Sequence, residues 1–364
     1  MGSAFTLSVN PWVYKAQYNE DGSWTEEFIE KPHETPEKES ILSPEERAAL
    51  LNLRNSFPEL PLVNYTTQYG LGCFEGLKAT PQPDNSLKIF RPDQNGARMH
   101  KSMIGLRMPA FPEELFVNAV KEVVRRNYDL GFSPEYDPAW AERDFVEGSA
   151  MYIRPFTYGE PGIGLNTVKK PWVIIATTNV GSYFDPDADA KAVTTNRIRA
   201  TENGTGWIKC DANYVIPILA KSEAVDDGYM EAIFLDAKEH RYVEEGSSCN
   251  IFFYMKDGTL VTPSLEDRIL DGITRKSVLE LAKDMGVFTA ERPVEIDEAL
   301  SEATEVFVTG TAAGVSYLES ITHQGKTALY NGGKIGELTA QLRRTLRGIQ
   351  YGAVEDSHNW LFDV

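Results

Sequence analysis

The chain has 364 residues, which at roughly 100 to 200 residues per domain suggests two domains or one unusually large one. Its 42% hydrophobic and 25% charged residues match a soluble globular average and exclude disordered, fibrous and disulfide-framework classes. The 36 Lys and Arg against 54 Asp and Glu give a net charge of −18, so no sequence-independent grip on nucleic acid is expected and anionic ligands would need local positive sites.

Cys73, Cys210 and Cys249 are far apart in sequence, form no C-x-x-C pair and leave one over in any pairing. A reducing cytoplasm fits this usage best. No apolar run approaches the ~18 residues of a membrane span, and the first residues lack a basic-then-apolar signal pattern. The expectation is a cytoplasmic protein with no membrane or nucleic-acid partner.

Residues 19–48 are acidic and interrupted by Pro32, Pro36 and Pro44, which predicts an irregular lead-in. It ends at a helix start, where Ser43, Pro44 and Glu46 form a capping box; that helix should run to about Arg54. Apolar residues at helical spacing predict a core helix from Leu115 to Tyr128. Ala150 to Pro155 and Trp172 to Thr178 are short, β-rich and bounded by Gly and Pro, as strands are. A β-meander is expected near 230–235, 241–245, 249–255 and 259–262, its last turn at Asp257-Gly258. It is followed by a helix from Ile273 ending at Gly286, a strand Glu305 to Gly310, and a final helix Ile335 to Ile349. Overall the pattern is mixed α/β: a smaller N-terminal domain with an N-terminal extension (1–180), a linker (181–192) and a larger C-terminal domain (193–364).

Several chemistries find no support. The five histidines are scattered, so no metal site is expected. Gly325-Lys326-Thr327 lacks the glycine of a P-loop, since Ile321 stands there. Gly70, Gly72 and Gly76 do not have dinucleotide-fingerprint spacing, and no G-x-S-x-G elbow occurs.

What remains suits a phosphorylated aldehyde cofactor, which needs an amine, a phosphate cradle and an acid beside a ring nitrogen. Lys209, in GTGWIKCDANY between Trp207 and Tyr214, is the candidate amine, because burial among such neighbours makes a lysine a better nucleophile. In ILDGITR, Gly272 opens a helix whose first residues, Ile273 and Thr274, carry unpaired N–H groups suited to an anion. Arg91 in IFRP could add a fixed positive charge. Glu245 ends a strand before Gly246-Ser247-Ser248 and could keep a pyridine nitrogen protonated.

Seven segments stand in an order that resembles the branched-chain amino acid aminotransferases, fold-type IV pyridoxal phosphate enzymes. They are YGLGCFEGLKA (Tyr69 to Ala79), IFRP (Ile89 to Pro92), YIRP (Tyr152 to Pro155), the K-x-x-x-N-Y of Lys209 to Tyr214, EGSSCNIF (Glu245 to Phe252), LDGITR (Leu270 to Arg275) and TGTAAG (Thr309 to Gly314). The resemblance spans about residues 50 to 350, and the long form of the enzyme carries an N-terminal extension comparable in position to residues 1 to 55. It implies that Lys209 forms a Schiff base with pyridoxal 5'-phosphate in the C-terminal domain, that Tyr214 bonds the cofactor's phenolic oxygen, and that Glu245 pairs with its ring nitrogen. Arg91, Ile273 and Thr274 would hold the phosphate, with Thr311 near it and Leu270 on the ring. Tyr69, Phe74, Tyr152 and Tyr183 would wall an apolar substrate pocket, while Arg154, Thr311 and Ala312 would receive carboxylates.

The implied reaction is ping-pong transfer of the amino group of leucine, isoleucine or valine to 2-oxoglutarate. The implied assembly is a homodimer in which partner residues approach the site. Animal relatives carry a C-x-x-C pair after the T-G-T segment; Ala313 and Ser316 stand there in this chain, so thiol regulation of that kind is not expected. EGSSCN is closer to the form in D-amino acid aminotransferases, which with aminodeoxychorismate lyases share the fold, whereas chain length, FEGLKA and YIRP favour the L-branched-chain reading. A non-catalytic small-anion-binding protein, the alternative from another class, has no need for Lys209, Glu245 and a phosphate cradle together.

Overall fold

The structure, a computed structural model, describes residues 7–57, 59–181 and 190–364. A hairpin of β1 (Trp12–Tyr18) and β2 (Trp24–Glu30) is followed by α1 (Pro36–Ser40), α2 (Pro44–Arg54), α3 (Tyr65–Tyr69), β3 (Leu77–Pro81), β4 (Leu87–Phe90), α4 (Pro92–Gly105), α5 (Glu113–Asp129), β5 (Ala150–Tyr158) and β6 (Trp172–Val180). Then come β7 (Lys191–Thr194), α6 (Val215–Asp226), β8 (Glu231–Leu235), β9 (Val243–Gly246), β10 (Asn250–Met255), β11 (Thr259–Thr262), α7 (Ile273–Asp284) and β12 (Phe288–Glu291). The chain closes with α8 (Ile296–Glu302), β13 (Ala303–Gly310), β14 (Gly314–Leu318), β15 (Ser320–His323), β16 (Lys326–Leu329), α9 (Glu337–Gln350) and β17 (Leu361–Asp363).

These strands make a seven-stranded sheet in the order β17-β4-β3-β5-β6-β1-β2 and two five-stranded sheets, β12-β11-β10-β13-β14 and β16-β15-β7-β8-β9. The first sheet buries one face under α4 and α5, through Met99, Met103, Phe116, Val120, Val123 and Val124. Alternation along β10 shows how the other two sheets stack. Ile251, Phe253 and Met255 enter the core shared with Ile233, Leu235 and Val243 of the third sheet, while Phe252 points the opposite way, under α7 and α9. Its ring stacks on Phe307 of the neighbouring strand at 5.0 Å.

The capping box at Ser43 forms as expected, Ser43 and Glu46 bonding each other's backbone N–H groups. The lead-in is more regular than its prolines suggest, because the breakers lie after β2. Trp24 packs on Phe111 at 4.8 Å and Phe28 on Tyr14 at 5.1 Å, so one face of an acidic hairpin is apolar enough to join the sheet. The expected meander divides: β8 and β9 lie in one sheet, β10 and β11 in another. Of the expected linker, residues 182–189 lie outside the described residues and Lys191 already starts β7. The last strand, β17, leaves the C-terminal half and pairs with β4 in the first sheet.

Two buried carboxylates, Glu305 and Glu244, bear on stability. Helix α9 starts at Gly336 with no cap of its own; Glu305 of β13 supplies it, accepting from the N–H groups of Leu338 and Thr339 at 3.2 and 2.9 Å and from the Thr339 hydroxyl at 2.7 Å. Glu305→Ala should therefore lower unfolding free energy by about 1–3 kcal/mol in urea titrations. On β9, Glu244 is buried with an oxygen 3.1 Å from Arg268 Nε, and burial pushes its carboxyl from 4.5 up to about 8. The native state thus holds a proton that the unfolded chain releases, so this contribution to stability is present below pH 4.5 and is lost as pH rises through 8. The melting temperature of Glu244→Gln relative to the parent should rise as pH goes from 4.5 to about 8 and level off above that.

Candidate active site

A cavity of about 220 Å³ opens where the loops after β9, before α7 and after β13 meet the seven-stranded sheet. Lys209 enters it from a short segment held on both sides. Its N–H donates to Ser102 Oγ of α4 at 3.1 Å, its carbonyl accepts from Phe74 N at 3.1 Å, and Ile208 beside it is buried against Gly105. A 3-10 turn, Asp211–Tyr214, then brings the tyrosine back, and Lys209 Nζ donates to the Tyr214 hydroxyl at 2.7 Å. The ammonium also lies 4.8 Å from the Phe74 ring centre, a cation–π distance.

Glu245 lines the same cavity from the end of β9 and is 2.7 Å from Arg199. Burial pushes its carboxyl above the ordinary range, and the Arg199 charge opposes that. Asn250 donates to Glu245 at 3.1 Å and to the Leu270 carbonyl at 2.9 Å, tying this carboxylate to the loop before α7.

At the start of α7, Gly272 makes no side-chain cap, so the first N–H groups have no partner from the cap residue. A Cβ at Gly272 would fall 2.0 Å from Asn250 Oδ1; glycine there permits the close approach. Ile273, Thr274 and Leu270 line the cavity, together with Thr311 and Ala312 of the turn after β13. The Thr311 hydroxyl donates to the Gly76 carbonyl at 3.0 Å. Ser247 Oγ and Thr309 Oγ1, both on residues lining the cavity, are buried without a hydrogen-bond partner among the described residues, as polar atoms awaiting a ligand would be.

The expected phosphate arginine is not brought here. Arg91 is the N-cap of α4 with φ 47°, and its guanidinium turns to Ser277 Oγ at 2.9 Å, to Glu280 at 3.2 Å and onto the Trp360 ring. Arg98, two turns along α4, lines the cavity instead. It is held bidentately by Glu75 at 2.8 and 2.8 Å and donates to the Asp271 carbonyl at 3.1 Å. Burial alone would raise the fully buried Glu75 carboxyl, but the charge and hydrogen bonds of Arg98 hold it below its ordinary value. The helical face was readable: Asn95 and Ser102, three before and four after Arg98, also bond Glu75 and Lys209. Arg199 is the second missed residue, and no spacing in the sequence marks it.

Phe74, Tyr152 and Arg154 form one wall, with Arg154 donating to the Tyr152 hydroxyl at 2.8 Å and stacking 4.7 Å from the Phe74 ring. Tyr69 is not among the residues lining the cavity: it is exposed, and its hydroxyl accepts from Gly164 N at 3.0 Å. Tyr183 lies outside the described residues.

The sequence profile described as class IV amino-transferase matches residues 72–321. Branched-chain-amino-acid transaminase 1 of Bacillus subtilis is 37% identical over 305 residues, 81% of this chain and 82% of that protein. Branched-chain-amino-acid aminotransferase 3, chloroplastic, of Arabidopsis thaliana is 40% identical over 300 residues, 81% and 69% of the two chains. Among solved structures, the branched-chain amino acid aminotransferase of Escherichia coli superposes with a TM-score of 0.71 at 29% identity, covering 84% of this chain and 93% of that one. The branched-chain aminotransferase of the thermophilic archaeon Thermoproteus uzoniensis, solved with norvaline, gives 0.71 at 31%, covering 84% and 94%. With both the profile and relatives above 30% identity spanning most of its length, this chain belongs to the class IV amino-transferase family.

Proposed function

We propose that the protein moves the amino group of leucine, isoleucine or valine to 2-oxoglutarate with pyridoxal 5'-phosphate held at Lys209. The observation that carries this reading is the meeting in one cavity of Lys209, Glu245 and the uncapped start of α7. The similarity to branched-chain aminotransferases supports the substrate class.

The residues fit the cofactor. The N–H groups of Ile273 and Thr274 and the Arg98 guanidinium would hold its phosphate, Leu270 would pack on its ring and Tyr214 would bond its phenolic oxygen. When bound, pyridoxal phosphate supplies an electrophilic aldehyde and a ring that accepts electrons. Lys209 Nζ supplies the amine for that aldehyde and, when free, is the base placed to carry the substrate α-proton. The Tyr214 hydroxyl, at 2.7 Å, orients this nitrogen. Glu245, 2.7 Å from Arg199, would pair with the protonated ring nitrogen. Phe74 and Tyr152 offer an aliphatic side chain an apolar wall, and Arg154 in the same wall offers a carboxylate a partner. One wall thus serves both the branched chain and the second carboxylate of 2-oxoglutarate.

Assembly as a homodimer is part of this reading. Leu62, Val63, Ile163 and Leu165 are exposed around Tyr69, and hydrogen bonds from Gly162 N to Val63 O and from Gly164 N to the Tyr69 hydroxyl gather them on one surface. A patch of that kind is a docking surface by default, and it would carry Tyr69 toward a partner's site. Cytoplasmic location is supported by three free, buried cysteines, and no helix among the described residues is long and apolar enough to cross a membrane.

The purified protein should be yellow, and borohydride should fix the chromophore on the peptide containing Lys209. Lys209→Ala should lose that absorption and slow leucine/2-oxoglutarate exchange by about 10²- to 10⁴-fold or more; full activity in this variant, or turnover of D-alanine in place of L-leucine, overturns the reading. In reconstitution of the apoprotein, the double variant R98Q/E75Q, which leaves no buried charge unpaired, should bind pyridoxal phosphate roughly 10- to 100-fold more weakly. Arg91→Ala should change that affinity far less.

A further inference from the structure

Cys73 and Cys210, separated by most of the N-terminal half, face each other across an antiparallel β-bridge. The flanking hydrogen bonds fix which kind of pair this is. Phe74 N donates to Lys209 O at 3.1 Å and Asp211 N to Gly72 O at 2.9 Å, so the two cysteines exchange no hydrogen bond with each other; the backbone of Cys73 is engaged instead by Thr157, through Cys73 N to Thr157 Oγ1 and Thr157 N to Cys73 O. Opposed residues at such a non-hydrogen-bonded site lie about 4.5 Å apart at Cα and project to the same face. A disulfide spans Cα separations of about 4.4–6.8 Å. Both side chains belong to the same apolar core, and Cys249, the third thiol, is in a different one.

We infer that Cys73 and Cys210 are a disulfide-forming site that, when oxidised, staples the Lys209 segment to the segment before β3 that carries Phe74 and Glu75 and suppresses turnover. Lys209 precedes Cys210 and Phe74 follows Cys73, so the crosslink would lie one residue from the amine and from the ring it stacks against. The inference rests on the role proposed for Lys209 for its effect on turnover, but not for formation of the bond.

With a peroxide as oxidant the step balances. The Cys210 thiolate attacks one peroxide oxygen, the O–O bond breaks, and hydroxide leaves as the sulfur becomes a sulfenic acid; the Cys73 thiol then displaces that hydroxyl as water, forming the S–S bond. Two thiols lose two protons and two electrons, and one hydrogen peroxide becomes two waters. Cys210 is the natural first target: it is 3% exposed whereas Cys73 is 0% exposed. Burial raises both thiols above their ordinary range, and for Cys73 the charges of Asp211 and Glu75 add to it. Thiolate is therefore scarce, and the site stays reduced until oxidant is sustained.

The test treats the holoenzyme with hydrogen peroxide, alkylates remaining thiols in denaturant and maps the peptides by mass spectrometry. The expected result is a peptide pair joined through Cys73 and Cys210, Cys249 still alkylated, turnover reduced at least several-fold, and recovery with dithiothreitol. Cys73→Ala should abolish both crosslink and inactivation, and Cys249→Ala should abolish neither. Inactivation with both cysteines alkylatable, a crosslink involving Cys249, or a Cys73–Cys210 crosslink without loss of turnover each overturns the inference. A crosslink in a protein that shows no borohydride-fixed lysine would count against the proposed function and leave the disulfide site standing.

Discussion

The buried pair of Glu75 and Arg98 is the contact on which the site depends. Glu75 sits at the mouth of β3, fully buried, with its N–H donating to Pro155 O of β5 at 2.7 Å. Arg98 carries the opposite charge from α4 and also reaches the carbonyl of Asp271, just before α7. One ion pair therefore holds sheet, helix and the loop before α7 in one arrangement. Such a pair costs desolvation to form, but removing one partner strands a charge in the interior, which is worse by about 3–5 kcal/mol. The rest of the cavity inherits this fixed point, including Ser102 on the same helix face, which holds the backbone of Lys209.

Charge around the cavity is balanced locally. Arg98 is matched by Glu75 and Arg199 by Glu245, whereas among the described residues Arg154 and Lys209 have no carboxylate in ion-pair contact. The matched arginines are fixed donors that need no reorganisation when an anion arrives. Arg154 keeps its Nε buried without a partner among the described residues, and that leaves its charge available to a carboxylate. In an acidic chain, this division concentrates positive potential where the proposed function needs a phosphate and a carboxylate held at once.

Most of what governs this site was written locally. The α7 start could be read because Asp-Gly followed by an apolar period signals a helix with open N–H groups, and Lys209 because Trp207, Ile208 and Tyr214 give it apolar and aromatic neighbours. The role of Tyr214 came from the resemblance, and its return to Lys209 is made by the turn over residues 211–214. The choice between Arg91 and Arg98 was not local in that sense. Both precede or enter the same helix, and only the helical phase shared with Asn95 and Ser102 separates them; the positive φ at Arg91 that turns it aside is not visible in composition. The hairpin at residues 12–30 was obscured by its acidic face, and its partner Phe111 becomes evident only after folding. The approach of Cys73 to Cys210 is a tertiary register, and no sequence spacing announces it.

The strand order of the first sheet puts β2 at one edge and β17 at the other, so the two rims where a foreign strand could pair lie on segments far apart in the chain. During synthesis, β4 must wait for residues 361–363 while the intervening chain is made. Until then it presents an open backbone edge beside Arg91 and α4. Closure of the sheet is thus asymmetric: the hairpin side is complete once β6 is made, whereas β4 gains its outer neighbour only with residues 361–363.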